Sequence, residues 1–180
     1  MPTAILDGVE IAYQDVGKGF PIVFCHEFAG SMDSWKLQIS YFSRRYRTIA
    51  YNARGYAPSG IPASWQDYSQ EHQVETLFQL LRHLSIERAY ICGLSMGAHC
   101  VLNFGLAHPE LCAGIIAAGA GTGSANPDVF KRESEERADK LLADGMAGQT
   151  GYLSGTTRIR FQEKDPAGWE EFARLFAAHP

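Results

Sequence analysis

The chain has 180 residues, 46% hydrophobic and 20% charged, which is ordinary for a globular protein and long enough for one domain with a sizeable core. A formal net charge of −4, with Arg44-Arg45-Tyr46-Arg47 as the only basic cluster, argues against a nucleic-acid partner; that cluster reads as a solvated helix end. No apolar run approaches a membrane span, and the N-terminus lacks the basic and apolar regions of a signal peptide. Cys25, Cys92, Cys100 and Cys112 sit in apolar stretches without metal-ligand spacing or disulfide-scaffold density. The expectation is a cytoplasmic protein with reduced core cysteines, no metal, no organic cofactor and no membrane partner. Its oligomeric state is left open.

Thr3 to Leu6 and Val9 to Tyr13 are short apolar runs around Asp7-Gly8, a hairpin turn signal. Pro21 to Cys25 reads as a fully buried strand, continuous rather than alternating. His26-Glu27-Phe28-Ala29-Gly30-Ser31 follows, and Ser34 is the expected cap of a helix through Phe42. Tyr46 to Tyr51 is the next strand, and Asn52-Ala53-Arg54-Gly55-Tyr56-Ala57-Pro58-Ser59 a loop. Tyr68 to Leu84 places Val74, Leu77, Leu80, Leu81 and Leu84 on one helical face.

Tyr90-Ile91-Cys92-Gly93-Leu94-Ser95-Met96-Gly97-Ala98 then runs from strand through a sharp turn into a helix that ends near His108-Pro109. A serine on so tight a turn needs neighbours without bulk, hence Gly93 and Gly97. The turn lifts the Ser95 hydroxyl above the sheet edge and aims the Met96 amide, at a helix start, where negative charge would develop. Cys112 to Ala118 is a further apolar strand, leading into Gly119-Ala120-Gly121-Thr122-Gly123. Strands alternating with helices predict an α/β fold: a mostly parallel twisted sheet of about six strands with helices on both faces. Ligands on such sheets bind beyond the carboxyl ends of the strands, where His26, Arg54, Ser95 and the 119–123 loop should gather. From Asn126 the chain turns charged and helical, with Trp169, Phe172, Leu175 and Phe176 as apolar anchors of a piece from Pro166 to Ala178. Residues 1–124 are thus expected to form the core and 125–180 a partial helical cap.

These motifs resemble the α/β-hydrolase superfamily, in the family's order. Pro21 to His26 resembles the strand into the oxyanion loop, Tyr51 to Ser59 the Asp-x-Arg-Gly-x-Gly-x-Ser loop, Gly93 to Gly97 the nucleophile elbow, and His108-Pro109 the helix end after it. The resemblance implies Ser95 as nucleophile and the backbone amides of Phe28 and Met96 as the oxyanion hole, with His26, Gly93 and Gly97 in support. Serine in place of aspartate points away from dehalogenases and epoxide hydrolases, toward a small ester, lactone, thioester or related carbonyl substrate processed through an acyl-enzyme.

The sequence departs from that pattern in three places. Glu27 stands where glycine is usual, and its carboxylate is expected to turn toward Arg54 or solvent. Asn52 and Ala57 replace Asp and Gly in the next loop and are expected to shape it. The acid and histidine normally follow two further strands, so the expectation is an N-terminal portion of a longer hydrolase, truncated before both. Within the chain, His26 and His99 are weak candidates for the base. His72 and His83 should face solvent or a loop, and His108 suits a helix end. His179, near the chain end, has no assigned place, and Asp128 is the weak acid candidate against a plain reading as a helix-start residue. The alternatives are a catalytically inactive member that binds a small ligand, and a cofactor-free perhydrolase.

Overall fold

The computed structural model describes residues 1–121, 126–153, 155 and 159–179. It forms two compact units, Met1–Ala120 and Gly121–Pro180. Thr122 and Gly123 of the expected glycine-rich loop lie outside the described residues.

The first unit is built on one six-stranded sheet: β1 (Thr3–Leu6), β2 (Val9–Val16), β3 (Pro21–Cys25), β4 (Arg47–Tyr51), β5 (Ala89–Leu94) and β6 (Cys112–Ala118), in the order β1-β2-β4-β3-β5-β6. β1 and β2 form the expected antiparallel hairpin, with Asp7 and Gly8 both left-handed at φ 48° and 74°, as a tight two-residue turn requires. β2 runs antiparallel to β4; β4, β3, β5 and β6 are mutually parallel.

The central strands are continuous apolar runs because both sheet faces are covered. Val23 and Cys25 join Ile49, Leu77, Leu80, Leu81, Ile91, Val101 and Phe104 on the face that carries α2 (Gln70–His83) and α3 (Met96–Ala107). Ile22 and Phe24 alternate to the other face, with Met32, Trp35, Ile39 and Cys92 beside α1 (Lys36–Phe42). Each fully buried leucine of α2 contributes about 2 kcal/mol from its apolar surface.

Two helix starts differ from the sequence reading. A 3₁₀ turn, Met32–Trp35, precedes α1, and its cap is Ser31 rather than Ser34: Ser31 Oγ accepts from Asp33 N, and Ser34 Oγ accepts from the Ser31 amide, closing a capping box. Two serines three residues apart each look like a cap in sequence; the intervening turn decides between them. A second 3₁₀ turn, Trp65–Tyr68, holds off α2 until Ser69 caps it. In the second unit the charged segment is α4 (Pro127–Asp144), capped by Asn126. Two short helices not anticipated, α5 (Thr150–Leu153) and α6 (Ile159–Lys164), precede α7 (Pro166–Ala177). There Phe161, Trp169, Phe172 and Phe176 form a chain of ring contacts 5.9 to 6.2 Å apart. No described helix is long and apolar enough to cross a membrane.

Candidate active site

β3 and β5 are parallel neighbours with Cys25 opposite Gly93, so His26 and Ser95 leave the same end of the sheet side by side. Ser95 sits at φ 52°, ψ −110°, backbone that L-residues rarely adopt, and its side chain is exposed. Its amide donates to the Ala118 carbonyl at 2.8 Å, tying the turn to the end of β6. The flanking glycines are required by close backbone approach. A β-carbon on Gly93 would run into the Gly97 carbonyl, and one on Gly97 would meet the Cys25 and His26 carbonyls. α3 can therefore start directly over the end of β3. Met96 opens that helix, where the first-turn N–H groups have no intrahelical acceptor.

The loop after β3 folds back at once. The Gly30 amide donates to the Glu27 carbonyl at 3.0 Å, and Ala29 is left-handed at φ 57°, as at the third position of a type II turn. Phe28 occupies the second position and is half-buried. His26 is buried and pinned at both ring nitrogens: Nε2 accepts from the Ala53 amide at 3.0 Å, so Nδ1 carries the proton and donates to the Glu27 carbonyl at 2.7 Å. It supports the loop, and that bonding takes it out of the running as a base.

Glu27 corrects the sequence reading. Its carboxylate turns neither to Arg54 nor to solvent; it is buried, accepts from Ser34 Oγ at 3.1 Å and packs against Gly30. The residue therefore anchors the loop after β3 to the 3₁₀ turn that follows. Asn52 anchors the same region from β4: Oδ1 accepts from the Met32 amide and Nδ2 donates to the Ala57 carbonyl, both at 2.7 Å. An aspartate could only accept, so the change from the motif matches the bonds made.

Arg54, expected beside Ser95, instead buries its side chain under α2. Its Nη2 meets Asp7 Oδ2 at 2.5 Å and Thr76 Oγ1 at 2.8 Å, and Nη1 donates to the Asp67 carbonyl. His72 joins from α2, its side chain 39% exposed and Nδ1 2.6 Å from Asp7 Oδ2, so it faces solvent and the β1–β2 turn as expected. Asp7, Arg54, Asp67 and His72 line an open cleft of about 400 Å³ by the β1–β2 turn. His83 is exposed, as expected, with Nε2 3.2 Å from the Tyr13 hydroxyl. His108 ends α3 stacked on Phe78, rings 4.5 Å apart. His99 lies one turn after Ser95, its amide bonded to the Ser95 carbonyl. None of these five histidines of the first unit hydrogen-bonds the Ser95 hydroxyl. Asp128 is an exposed first-turn residue of α4 in the second unit.

The thiols near the site are poor nucleophiles. Cys25 is pushed well above the usual thiol range, first by its hydrogen bond with Cys100 and then by burial. Burial and the neighbouring Cys25 push Cys92 up to about 11. Among the described residues no group of three or more His, Cys, Asp or Glu is arranged to hold a metal. Sequence reasoning gave no weight to Tyr56. Its ring packs edge-on to His26 at 4.6 Å, and its hydroxyl accepts from the Ala29 amide at 3.3 Å and donates to Met96 Sδ at 3.6 Å. Its position is a variable one in the loop motif, so the signal available was only an aromatic inside a Gly- and Pro-containing loop.

Residues 21–173 match the family model for the alpha/beta hydrolase fold. The bifunctional epoxide hydrolase 2 of Rattus norvegicus is 28% identical over 127 residues, 70% of this chain and 23% of that protein. Among solved structures, Est816, described as an N-acyl homoserine lactone degrading enzyme, superposes with a TM-score of 0.79 at 28% identity, covering 98% of this chain and 66% of that one. The enol-lactonase from Burkholderia xenovorans LB400 reaches 0.82 at 23% identity, covering 99% and 68%, a likeness of fold. The chain thus spans about a quarter of the length of the rat relative and two thirds of these structural neighbours. With the elbow, the sheet order and a family match over most of its length, the chain belongs to the α/β-hydrolase fold family.

Proposed function

We propose that this protein is a serine hydrolase that opens a small carbonyl ester, with lactones the favoured class, through an acyl-enzyme on Ser95. The observation that carries this reading is the Ser95 turn: an exposed hydroxyl held at φ 52° between two glycines that close packing demands. Strain of that kind persists where the surroundings over-determine it. In the proposed reaction Ser95 Oγ attacks the carbonyl carbon and loses its proton to a base. The Met96 and Phe28 amides hold the oxyanion, the ring or ester C–O bond breaks, and water releases the acid. Each amide would supply on the order of 3 kcal/mol of transition-state stabilisation.

The chemistry of the nucleophile separates this reading from epoxide opening. A carboxylate that opens an epoxide forms an ester, which water can cleave. A serine oxygen would form an ether, which water does not cleave under mild conditions, so turnover would stop after one event. The likeness to a lactone-degrading enzyme over 98% of this chain supports the lactone class. Residues 125–180 are proposed as a helical cap segment.

The test uses the protein at the length its native source produces. A fluorophosphonate probe should label Ser95, located by peptide mass spectrometry, and Ser95→Ala should abolish both labelling and hydrolysis of simple γ- and N-acyl homoserine lactones. Unlabelled Ser95 together with undiminished turnover in Ser95→Ala would overturn the proposal.

A further inference from the structure

We infer that Tyr56 is a positioning residue for the oxyanion hole, bracing both of its halves through one hydroxyl. The inference rests on the serine-hydrolase reading of Ser95. The two amides assigned to the oxyanion come from different loops: Phe28 from the turn after β3, Met96 from the start of α3. Tyr56 comes from a third loop, after β4, and touches both. Its hydroxyl accepts from the amide of Ala29, the residue next to Phe28, and donates to the side-chain sulfur of Met96. Its ring packs edge-on to His26, whose imidazole fixes the start of the same turn.

Ala29 makes this brace necessary. At φ 57° it occupies the left-handed region that glycine would take without strain, and relaxation of that strain would rotate the peptide beside Phe28. A hydrogen bond to the Ala29 amide opposes that rotation. The contact with Met96 sets the hydroxyl's other direction and ties the turn to the elbow. The bonds are modest singly, since O–H to sulfur is a weak pair. Their effect is geometric: oxyanion donors work only when aimed before charge develops.

The test is Tyr56→Phe in the full-length enzyme, with active sites counted by fluorophosphonate titration so that misfolded protein drops out. The expected result is a fall in kcat of about tenfold or more, with KM within about twofold, because the lost interaction acts in the transition state. A trifluoromethyl ketone, which forms the tetrahedral oxyanion on Ser95, should lose affinity by the same factor as kcat/KM. A residue that only fills space would lower the titratable fraction and Tm while leaving both constants of the remaining sites unchanged, and that result overturns the inference. Labelled Ser95 with undiminished kcat in Tyr56→Phe also overturns it while sparing the serine-hydrolase reading. An unlabelled wild-type Ser95 overturns both.

Discussion

Replacing the proposed nucleophile with glycine should make the protein more stable. Ser95 holds φ 52°, ψ −110° while its side chain makes no capping bond to α3, so removing the hydroxyl sacrifices no cap. Relief of such backbone strain is worth about 1–3 kcal/mol. Glycine's extra freedom in the unfolded chain takes back about 1 kcal/mol. The net gain is then about 1 kcal/mol, which for a chain of this size raises Tm by about 2–4 °C. Ser95→Ala is the control, because it loses the hydroxyl and keeps the strained β-carbon. Thermal melts and urea titrations of the two variants, side by side, read the difference directly. If Ser95→Gly melts no higher than Ser95→Ala, the strain assigned to the elbow is not there, and the argument from strain to function loses its footing.

Two other outcomes follow from charge and burial. Asp7→Asn leaves the Arg54 guanidinium, its side chain only 2% exposed, without its counter-charge, and should lower stability by about 3 kcal/mol. Asp15→Asn breaks a pair whose partner Arg47 is 29% exposed and should lower stability by about 1 kcal/mol or less. Equal losses in urea titrations would refute the contrast. Alkali should also weaken the fold. Cys25, Cys92 and Tyr51 are all weaker acids in the folded protein than in the unfolded chain, the tyrosine chiefly by burial, so the folded state keeps protons that the unfolded chain releases from about pH 9. Their contribution is whole below that pH and is lost as pH rises beyond it, in the case of Cys92 through about 11. A urea midpoint that holds level or climbs between about pH 8 and about pH 10.5 would contradict this.

The strands and the elbow were legible because their signals are local. Ile22 to Cys25 is apolar at every position since both faces of β3 are covered, and Gly93 and Gly97 bracket Ser95 at a spacing fixed by one turn of backbone. Contacts over long separations were not legible. Nothing in a single sequence links Asp7 to Arg54 and His72, 47 and 65 residues away, so Arg54 was expected at the site and no partner was named for His72. Glu27 was misplaced because the carboxylate's partner, Ser34, is brought round only by the fold-back at Ala29. The second unit was read least well: α5 and α6 have four and six residues, too short for a helical period to show.

The bond from the Ser95 amide to the Ala118 carbonyl has a consequence for how the site answers to distant events. β6 is hydrogen-bonded to β5, and among the described residues it forms one margin of the sheet. Its last residue therefore acts as a latch on the elbow. Whatever frays or stiffens that margin changes the restraint on the Ser95 backbone without entering the pocket. The Ser95 amide should then exchange with deuterium in step with the amides of β6 rather than with those of α3, which makes it a built-in reporter of the sheet margin.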